Sequence, residues 1–394
     1  MVRYDTTVTS SIKEGEPSEN PVAELLKAFF SRFDLLQILP ALALLAIGGL
    51  FIYGVGQQVG GIYASIWKQQ LLYMGFGGVL WFCLIFIDYR WLAPLSILFY
   101  PAAIGLLMLV LYRGTTLYGA QRWLSIAGYS VQPSEFGKLA VILAVSSLLA
   151  CKKADVNKPF WILGVLILAG IPFYLIYLEP DLGTACVILP ITAAMVFVSN
   201  LKLKWVCLLL VLAVIAVPIA YMNLKAYQKE RVETFLNPKK SSRDSGWNAE
   251  QAELAVGSGG LLGKGFMKGE RCRLGYLPTT VANSDFIFPV IAEETGFVGS
   301  MVLFLLYAVL LFSIFRTAYL APDPFGRCLC TAIAVLLTVH IAVNVGMCIR
   351  LFPITGLPLP LVSYGGSFLV AIMIYLGIVQ SVYAHRNRVT FMAI

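Results

Sequence analysis

The sequence NSDFIFPVIAEETGFVGSMVLFLLYAVLLFSIF occupies residues 283–315, and its apolar part begins directly after one acid, Asp285. At 1.5 Å per helical residue, the apolar window 286–315 is long enough to cross about 30 Å of hydrocarbon. The preceding residues, 223–284, are polar. A carboxylate at the boundary between water and an apolar helix carries a desolvation cost. We therefore expect Asp285 to have a partner or a chemical task.

The composition of the whole chain places it in the membrane. Of its 394 residues, 59% are hydrophobic and only 13% are charged, with a mean hydropathy of +0.81. A soluble domain of this size could not bury so much apolar surface. The mixed, polar N-terminal residues argue against a removable signal peptide. The net charge of +8 is spread over loops between apolar segments, which favours anionic membrane lipids over nucleic acid as partners.

The predicted fold class is an all-α polytopic membrane protein with about ten transmembrane helices. Lys and Arg are concentrated in the N-terminal tail and in alternate short loops, which predicts that both termini are cytoplasmic. The predicted organisation is a cytoplasmic tail (1–34), a membrane domain (35–384) with a long extracytoplasmic loop (223–284), and a second tail (385–394). The apolar windows fall at 35–54, 70–87, 91–111, 135–150, 160–178, 182–199, 205–222, 286–315, 328–349 and 366–384.

Histidine and cysteine offer little for catalysis. Only two histidines are present, His340 and His385, and most of the eight cysteines lie in apolar windows, where small hydrophobic packing explains them. The sequence therefore offers little for histidine-based nucleophilic or metal chemistry. Any chemistry must depend on carboxylates, lysines, arginines and the backbone.

Two polar groups are predicted on the outer side, besides the long loop. In the first, Arg122 precedes Glu135 and Lys138, which lie at i and i+3 on one helix face. This pair is either an internal ion pair or a lysine that meets a substrate phosphate and is held by the glutamate. In the second, Glu179 and Asp181 flank Pro180 in a tight turn. Asp181 either caps the next helix or, with Glu179, lines a site for a cation or a sugar hydroxyl.

The long loop is the third polar group, and it is either a solvated connection or a functional segment. Its aromatic residues and its Gly257-Ser258-Gly259-Gly260 turn predict a loop folded over the membrane surface, partly as amphipathic helix. Glycines with a nearby lysine can present backbone N–H groups and a positive charge to a phosphate, although the spacing is not that of a P-loop. Candidate binding residues here are Arg231, Gln251, Ser258, Gly259 and Lys264.

Prolines and glycines at 353–366 precede the last apolar window, with Ser363, Tyr364 and Gly365 at its mouth. Irregular backbone at membrane depth needs protein or water around it. This segment is therefore predicted to line a cavity and to contribute these three residues to binding.

Taken in order, these motifs resemble the SEDS family (shape, elongation, division, sporulation) over nearly all of the chain after residue 35. The resemblance is closer to the elongation, RodA-like branch than to the FtsW-like division branch. The chain departs from the family at 283–284, where His-Thr is common, and at 270–273, where a Gln/Ser-rich run is usual. It also has Arg350 where small residues are common. The motifs are QPSE at 132–135, EPDLGT at 179–184, RV at 231–232, GSGG at 257–260, SDFIF at 284–288 with EE at 293–294, and LPLVSYGG at 359–366.

The resemblance implies a multi-pass enzyme of the bacterial cytoplasmic membrane that polymerises lipid II at the outer face. The family's essential acid falls on Asp285. The implied partners are a class B penicillin-binding protein, which cross-links the glycan strands, and other membrane proteins of the elongation complex.

The chemistry that follows is inverting glycosyl transfer with Asp285 as the general base. The base would take the proton of the acceptor sugar hydroxyl as that oxygen attacks the donor anomeric carbon. The departing undecaprenyl pyrophosphate requires cations, for which Lys138, Arg231 and Lys264 are candidates. A divalent cation, Mg²⁺ or Mn²⁺, held by Glu179 or Asp181 is a further expectation. The alternatives are a lipid II flippase or transporter, in which intramembrane charges form a pathway, and a non-enzymatic scaffold for cell shape.

Overall fold

The structure, a computed structural model, describes residues 31–117, 120–126, 128–151, 158–199, 202, 205, 222, 229, 231, 233–235, 245–278 and 281–387. Within these ranges, eight helices are long and apolar enough to cross a membrane, and one shorter apolar helix accompanies them. The described helices are α1 (Leu35–Val59), α2 (Ile66–Phe86), α3 (Leu92–Arg113), α4 (Pro133–Ala150), α5 (Pro159–Leu178), α6 (Leu182–Val198), α7 (Ser245–Ser258), α8 (Glu270–Arg273), α9 (Ile287–Leu320), α10 (Pro324–Cys348) and α11 (Gly366–Ala384).

These helices confirm the multi-pass all-α fold. Every apolar window except one coincides with a described helix; most of the window at 205–222 lies outside the described residues. The two tails, 1–30 and 388–394, lie outside them as well. The helix predicted within the long loop is confirmed by α7, which packs against α9 and buries Ala252 and Ala255.

The most buried spans are α4 and α11, with α10 packed between α4, α6 and α9. By contrast, α3 exposes Ile97, Leu98 and Tyr112, as expected of a helix whose outer face meets lipid. Polar side chains on the central spans are therefore shielded from lipid, among them Glu135 and Lys138 of α4.

A small antiparallel sheet, not predicted from the sequence, joins α3 to α4. Its strands are β1 (Thr115–Leu117), β2 (Ala120–Ile126) and β3 (Tyr129–Val131), in the order β1-β2-β3. Thr115 pairs with Trp123 and Leu124 pairs with Val131. Gly128, with φ +83°, turns the chain between β2 and β3 in a conformation that glycine adopts without strain. The sheet places Arg122 over the start of α6.

The long loop forms hydrogen bonds with the backbone of α9 at a break in that helix. Gly296 leaves helical geometry, with φ +68° and ψ −162°. The amides of the next two residues, Phe297 and Val298, donate to the carbonyls of Gly260 (2.8 Å) and Leu261 (3.0 Å). Backbone groups freed by a helix break at the membrane need partners inside the protein, and the loop supplies them.

Candidate active site

Asp285 lies in the turn that precedes α9, and its backbone is held by that turn and by α10. Its amide donates to Val281 O at 3.0 Å. Its carbonyl accepts from the Asn344 amide on α10 at 3.0 Å, and the same amide donates to Leu357 O at 2.7 Å. One buried side chain therefore ties the acid to the segment before α11.

The carboxylate of Asp285 faces Gly356. A Cβ placed on Gly356 would lie 3.2 Å from Asp285 Oδ2, and the glycine has φ +75°. Both the close approach and the left-handed backbone favour glycine here. Asp285 is half-buried, and the described residues give it no ion-pair partner. Its backbone contacts therefore fix Asp285 in position, and no described cation pairs with its carboxylate.

Burial raises the pKa of Asp285 to about 6. A hydrogen bond from Ser284 and the charges of Arg231 and Arg122 lower this pKa, and the charge of Asp181 raises it. A carboxylate with this pKa is largely ionised near neutral pH yet remains a stronger base than an ordinary aspartate. The geometry and the electrostatics both suit a general base.

The predicted binding residues at the start of α11 form hydrogen bonds with the segment before Asp285. The Ser363 hydroxyl donates to Ser284 O at 2.5 Å and accepts from Leu359 N at 2.8 Å. The Tyr364 amide donates to Asn283 O at 2.8 Å. Gly365 is the N-cap of α11. These contacts position the acid, so substrate binding by Ser363, Tyr364 and Gly365 stays a prediction.

A cavity of about 340 Å³ lies beside this turn, between α6, α10 and the segment before α11. Its polar wall is formed by Arg122, Asp181 and Arg231. Its apolar wall is formed by side chains of α6 and α10 and of the segment 353–357, and it includes Val187, Val339, Val343 and Leu357. We call this space the main cavity. A wall with two arginines next to an apolar wall suits an anionic lipid.

The helix-capping role that the sequence left open for Asp181 is seen in the structure, and binding of a cation or a sugar hydroxyl stays a prediction. Asp181 caps α6, accepting from Thr184 N at 3.3 Å, and it lines the main cavity. Gln132 donates to its other oxygen at 3.2 Å, and Arg122 Nη1 lies 3.6 Å from Oδ1. Arg122 also donates to the carbonyls of Glu179 and Pro180. The guanidinium is thereby fixed at the cavity wall.

Glu179 is nearly fully buried, and neither carboxylate oxygen has a hydrogen-bond partner among the described residues. Burial raises its pKa to about 8; the charge of Asp181 raises it further, and that of Arg122 lowers it. Glu179 therefore carries a proton at neutral pH.

The Glu135–Lys138 pair is an internal ion pair in the structure. Lys138 is completely buried, with Nζ 2.9 Å from Glu135 Oε1 and 3.2 Å from His340 Nε2. The other imidazole nitrogen lies 3.2 Å from Pro358 O. Neither Lys138 nor Glu135 lines the main cavity. This arrangement favours the structural interpretation over a direct phosphate contact.

The glycine-rich turn and Lys264 also have structural partners. The amides of Gly263, Lys264 and Gly265 donate to carbonyls of the chain rather than facing solvent. The Lys264 ammonium lies 2.8 Å from Glu293 Oε1, and this hydrogen bond raises the pKa of Lys264. The amides of Gly263, Lys264 and Gly265 are therefore occupied, and phosphate binding by this glycine-rich turn stays a prediction.

Two further predicted residues in the loop are held internally. Ser258 donates to Ala255 O at 3.0 Å, and Gln251 accepts from the Arg271 guanidinium. Gly259 packs against the backbone of α9 so closely that a Cβ would collide with Ala292 O. Ser258 and Gln251 therefore bind within the loop, Gly259 packs against α9, and no described contact directs these residues to the main cavity.

Sequence reasoning missed Asn344 and the role of His340. Both lie on α10, four residues apart and so on one helix face, and both bind carbonyls of the segment before α11. A buried asparagine in an apolar span was the available signal. Within the described residues, no group of three or more His, Cys, Asp or Glu could hold a metal ion.

Residues 33–388 match the family model described as cell cycle protein, which covers FtsW, RodA and SpoVE. The chain belongs to the SEDS family. It is 34% identical to the peptidoglycan glycosyltransferase MrdB of Escherichia coli K12 over 371 residues, or 92% of this chain and 97% of the relative. It is also 34% identical to the MrdB of Helicobacter pylori strain 26695, over 91% of this chain and 92% of that protein.

Two solved structures show the same SEDS fold. A chain from a peptidoglycan synthase complex, described for its coordination of polymerization and crosslinking, has a TM-score of 0.77 and 30% identity. That match covers 90% of this chain and 99% of the other. The RodA of Thermus thermophilus has a TM-score of 0.67 and 29% identity, covering 90% and 98%. The predicted family, its RodA-like branch and the peptidoglycan glycosyltransferase class are confirmed.

Proposed function

We propose that this SEDS protein polymerises lipid II, with Asp285 as the general base. The observation that carries the proposal is a carboxylate without an ion-pair partner among the described residues, held beside a cavity that has two arginines in one wall and an apolar wall. The glycosyltransferase names of the relatives supply the reaction class. The main cavity supplies the substrate class, because it suits a lipid-linked anion.

The reaction is a single displacement. The acceptor sugar hydroxyl attacks the donor anomeric carbon, and its proton passes to Asp285. The bond from that carbon to the phosphate oxygen breaks, and its electron pair leaves with the pyrophosphate. One attack from the opposite face inverts the anomeric centre, so no covalent sugar intermediate is required.

The leaving pyrophosphate binds Arg122 and Arg231, the two guanidinium groups at the main cavity. The Arg231 Nη1 donates to Ile354 O at 3.2 Å, which fixes it at the wall. The prenyl chain lies along the apolar wall of α6 and α10. The lysines proposed from sequence, Lys138 and Lys264, support the protein instead, since neither lines the main cavity and each pairs with a buried carboxylate.

The proposal extends to a divalent cation, Mg²⁺ or Mn²⁺, that enters with the substrate and binds Asp181. Magnesium is commonly held by one or two carboxylates together with substrate phosphates. Polymerisation should then stop in EDTA and recover with either ion. Full activity in the chelator would remove the cation from the proposal.

The cellular setting is the bacterial cytoplasmic membrane, with the site at its outer face and the sugar transfer coupled to a class B penicillin-binding protein and other elongation-complex proteins. The solved synthase complex, which joins polymerization to crosslinking, supports a partner of this kind.

The test uses purified protein, labelled lipid II and detergent, with Asp285→Asn compared with wild type. Wild type should form glycan chains and release undecaprenyl pyrophosphate, whereas the variant should lose at least about 10²-fold in rate. Cys328→Ser, at a buried thiol of α10 outside the cavity, is the matched control and should stay active. Polymerisation by folded Asp285→Asn at the wild-type rate refutes the proposal. Transbilayer movement of lipid II without polymer would support a flippase.

A further inference from the structure

A second, smaller cavity of about 130 Å³ adjoins the main cavity. Arg231, Pro353 and Ile354 line both spaces and form the wall between them. The other walls come from α7, from Thr234 and Phe235, and from the C-terminal end of α10 and the residues after it. We call this space the side cavity.

Two arginines, Arg231 and Arg350, line the side cavity. The only described acid in contact with Arg350 is Glu253, whose Oε2 lies 3.1 Å from Arg350 Nε. That contact lacks hydrogen-bond geometry at Nε, and the Glu253 side chain is 52% exposed. An exposed ion pair of this kind contributes little stability. The Glu253 carboxylate therefore leaves Arg350 able to bind a better-placed anion.

The backbone at Arg350 gives an independent argument. Its φ is +56°, in the left-handed region that glycine occupies most readily, and a branched or long side chain there is strained by about 1 kcal/mol. The sequence nevertheless places an arginine two residues after the end of α10. A weak surface ion pair does not offset that strain, whereas binding of a ligand would give the guanidinium a function.

The position of the side cavity selects the part of the substrate that can reach it. Its described walls lie at the C-terminal end of α10, in the residues that follow α10 and in the long loop. The prenyl chain must remain in the bilayer, and the main cavity already provides its apolar wall. The water-soluble part of lipid II, which carries a peptide with carboxylates, can extend into the side cavity.

We propose that the side cavity binds a peptide carboxylate of the lipid-linked substrate and that Arg350 determines specificity for it. Arg350 forms a charge-assisted hydrogen bond with the carboxylate, and Arg231 divides the peptide subsite from the pyrophosphate subsite. This inference rests on the proposed function, since it assumes that lipid II occupies the main cavity.

The test compares two lipid II preparations, one with free peptide carboxylates and one with those groups converted to primary amides. Wild type should show a KM about fivefold lower for the free carboxylates, and Arg350→Gln should remove that preference with little change in kcat. Lys268→Gln removes an exposed positive charge of the same loop away from both cavities, and it should keep the preference.

The variant Glu253→Gln separates binding from a structural role. If Arg350 binds substrate, removal of its competing acid should lower the KM for the carboxylate form, which is opposite to the effect of Arg350→Gln. If the Arg350–Glu253 pair only joins α7 to α10, both variants should impair the enzyme alike. That parallel loss would overturn the inference.

Undecaprenyl pyrophosphate, which has no peptide, tests whether Arg350 binds a phosphate instead of a carboxylate. Its inhibition constant should be the same for wild type and Arg350→Gln; a large increase in the variant would assign the arginine to phosphate and overturn the inference. Polymer from wild type with an unchanged carboxylate preference in Arg350→Gln would overturn this inference alone. Absence of polymer from wild type with either substrate would overturn the proposed function as well.

Discussion

Replacing Glu179 by glutamine should change the pH profile of the enzyme on one side only. With a pKa of about 6, Asp285 loses its proton as the pH rises through that value, so activity should rise there. With a pKa of about 8, Glu179 becomes negative above that value. The kcat/KM of wild type should therefore be bell-shaped, with limbs near pH 6 and pH 8.

The alkaline limb follows from the position of Glu179. Its ionisation adds a negative charge near Arg122, one of the two guanidinium groups assigned to the pyrophosphate. Affinity for the anionic substrate should then fall, by at most about tenfold for each pH unit above 8. Glu179→Gln keeps the shape of the side chain but cannot ionise. The variant should lose the alkaline limb and keep the acid limb near pH 6.

The same substitution should stabilise the protein. Because burial raises the pKa of Glu179 from 4.5 to about 8, the unfolded state releases its proton at a lower pH than the folded state. The resulting penalty is absent below pH 4.5, grows as the pH rises and is complete above pH 8. At 1.36 kcal/mol per pKa unit, it is about 3 kcal/mol at pH 7. Glu179→Gln should therefore raise the unfolding free energy by about that amount at pH 7 and hardly at all near pH 4.

Both effects are measured on the purified protein. Initial rates of glycan formation from labelled lipid II give kcat/KM between pH 5 and 9, and thermal unfolding in detergent gives the stability difference. Glu250→Gln, at an exposed acid of α7, is the matched control and should match wild type in both assays. An alkaline limb that persists in Glu179→Gln, or a variant no more stable than wild type at pH 7, would refute the reasoning.

Three further predictions address the supports of the site. Asn344→Ala should lower kcat about tenfold with a smaller effect on KM, because it removes the hydrogen bond that holds the Asp285 carbonyl; an unchanged kcat would contradict this. Lys138→Met should lower the unfolding free energy by about 3–5 kcal/mol by leaving Glu135 buried and unpaired, and adding Glu135→Gln should restore most of it; equal stability of single and double variants would contradict this. Cys186 is an exposed thiol of the main cavity, so N-ethylmaleimide should inactivate wild type but not Cys186→Ser, and equal inactivation would show that the thiol is unreactive or the cavity closed.

The membrane fold was predictable because hydrocarbon thickness sets the length of each apolar window. The described helices follow those windows within a few residues. The break at Gly296 was not predictable, because its backbone partners, Gly260 and Leu261, come from a loop distant in sequence. The sheet carrying Arg122 was missed because two of its three strands have only three residues, too few to give a clear alternating pattern.

In the candidate site, too, contacts between residues close in sequence could be predicted, whereas contacts between distant residues could not. Helical spacing predicted that Glu135 and Lys138 could meet, and they do. Nothing in that spacing could indicate His340, which approaches Lys138 from a helix about two hundred positions later. Asn344 was equally hidden, because its partners are backbone carbonyls, which every residue possesses. Sequence identified the acid, and only the fold shows what holds it.

The distribution of partners among the acids explains why Asp285 can be reactive in so apolar a protein. Most described acids near the membrane form an ion pair with an arginine or lysine. Asp34 pairs with Arg316, Glu135 with Lys138, Asp181 with Arg122 and Glu293 with Lys264. Glu294 instead accepts hydrogen bonds from Gln58 and backbone amides. Among the described acids that are buried or half-buried, Glu179 has neither a cation nor a hydrogen bond, and Asp285 has only the hydrogen bond from Ser284; both have raised pKa values. An acid paired with a cation gives up basicity, so we expect these two acids near the main cavity to be the groups that exchange a proton.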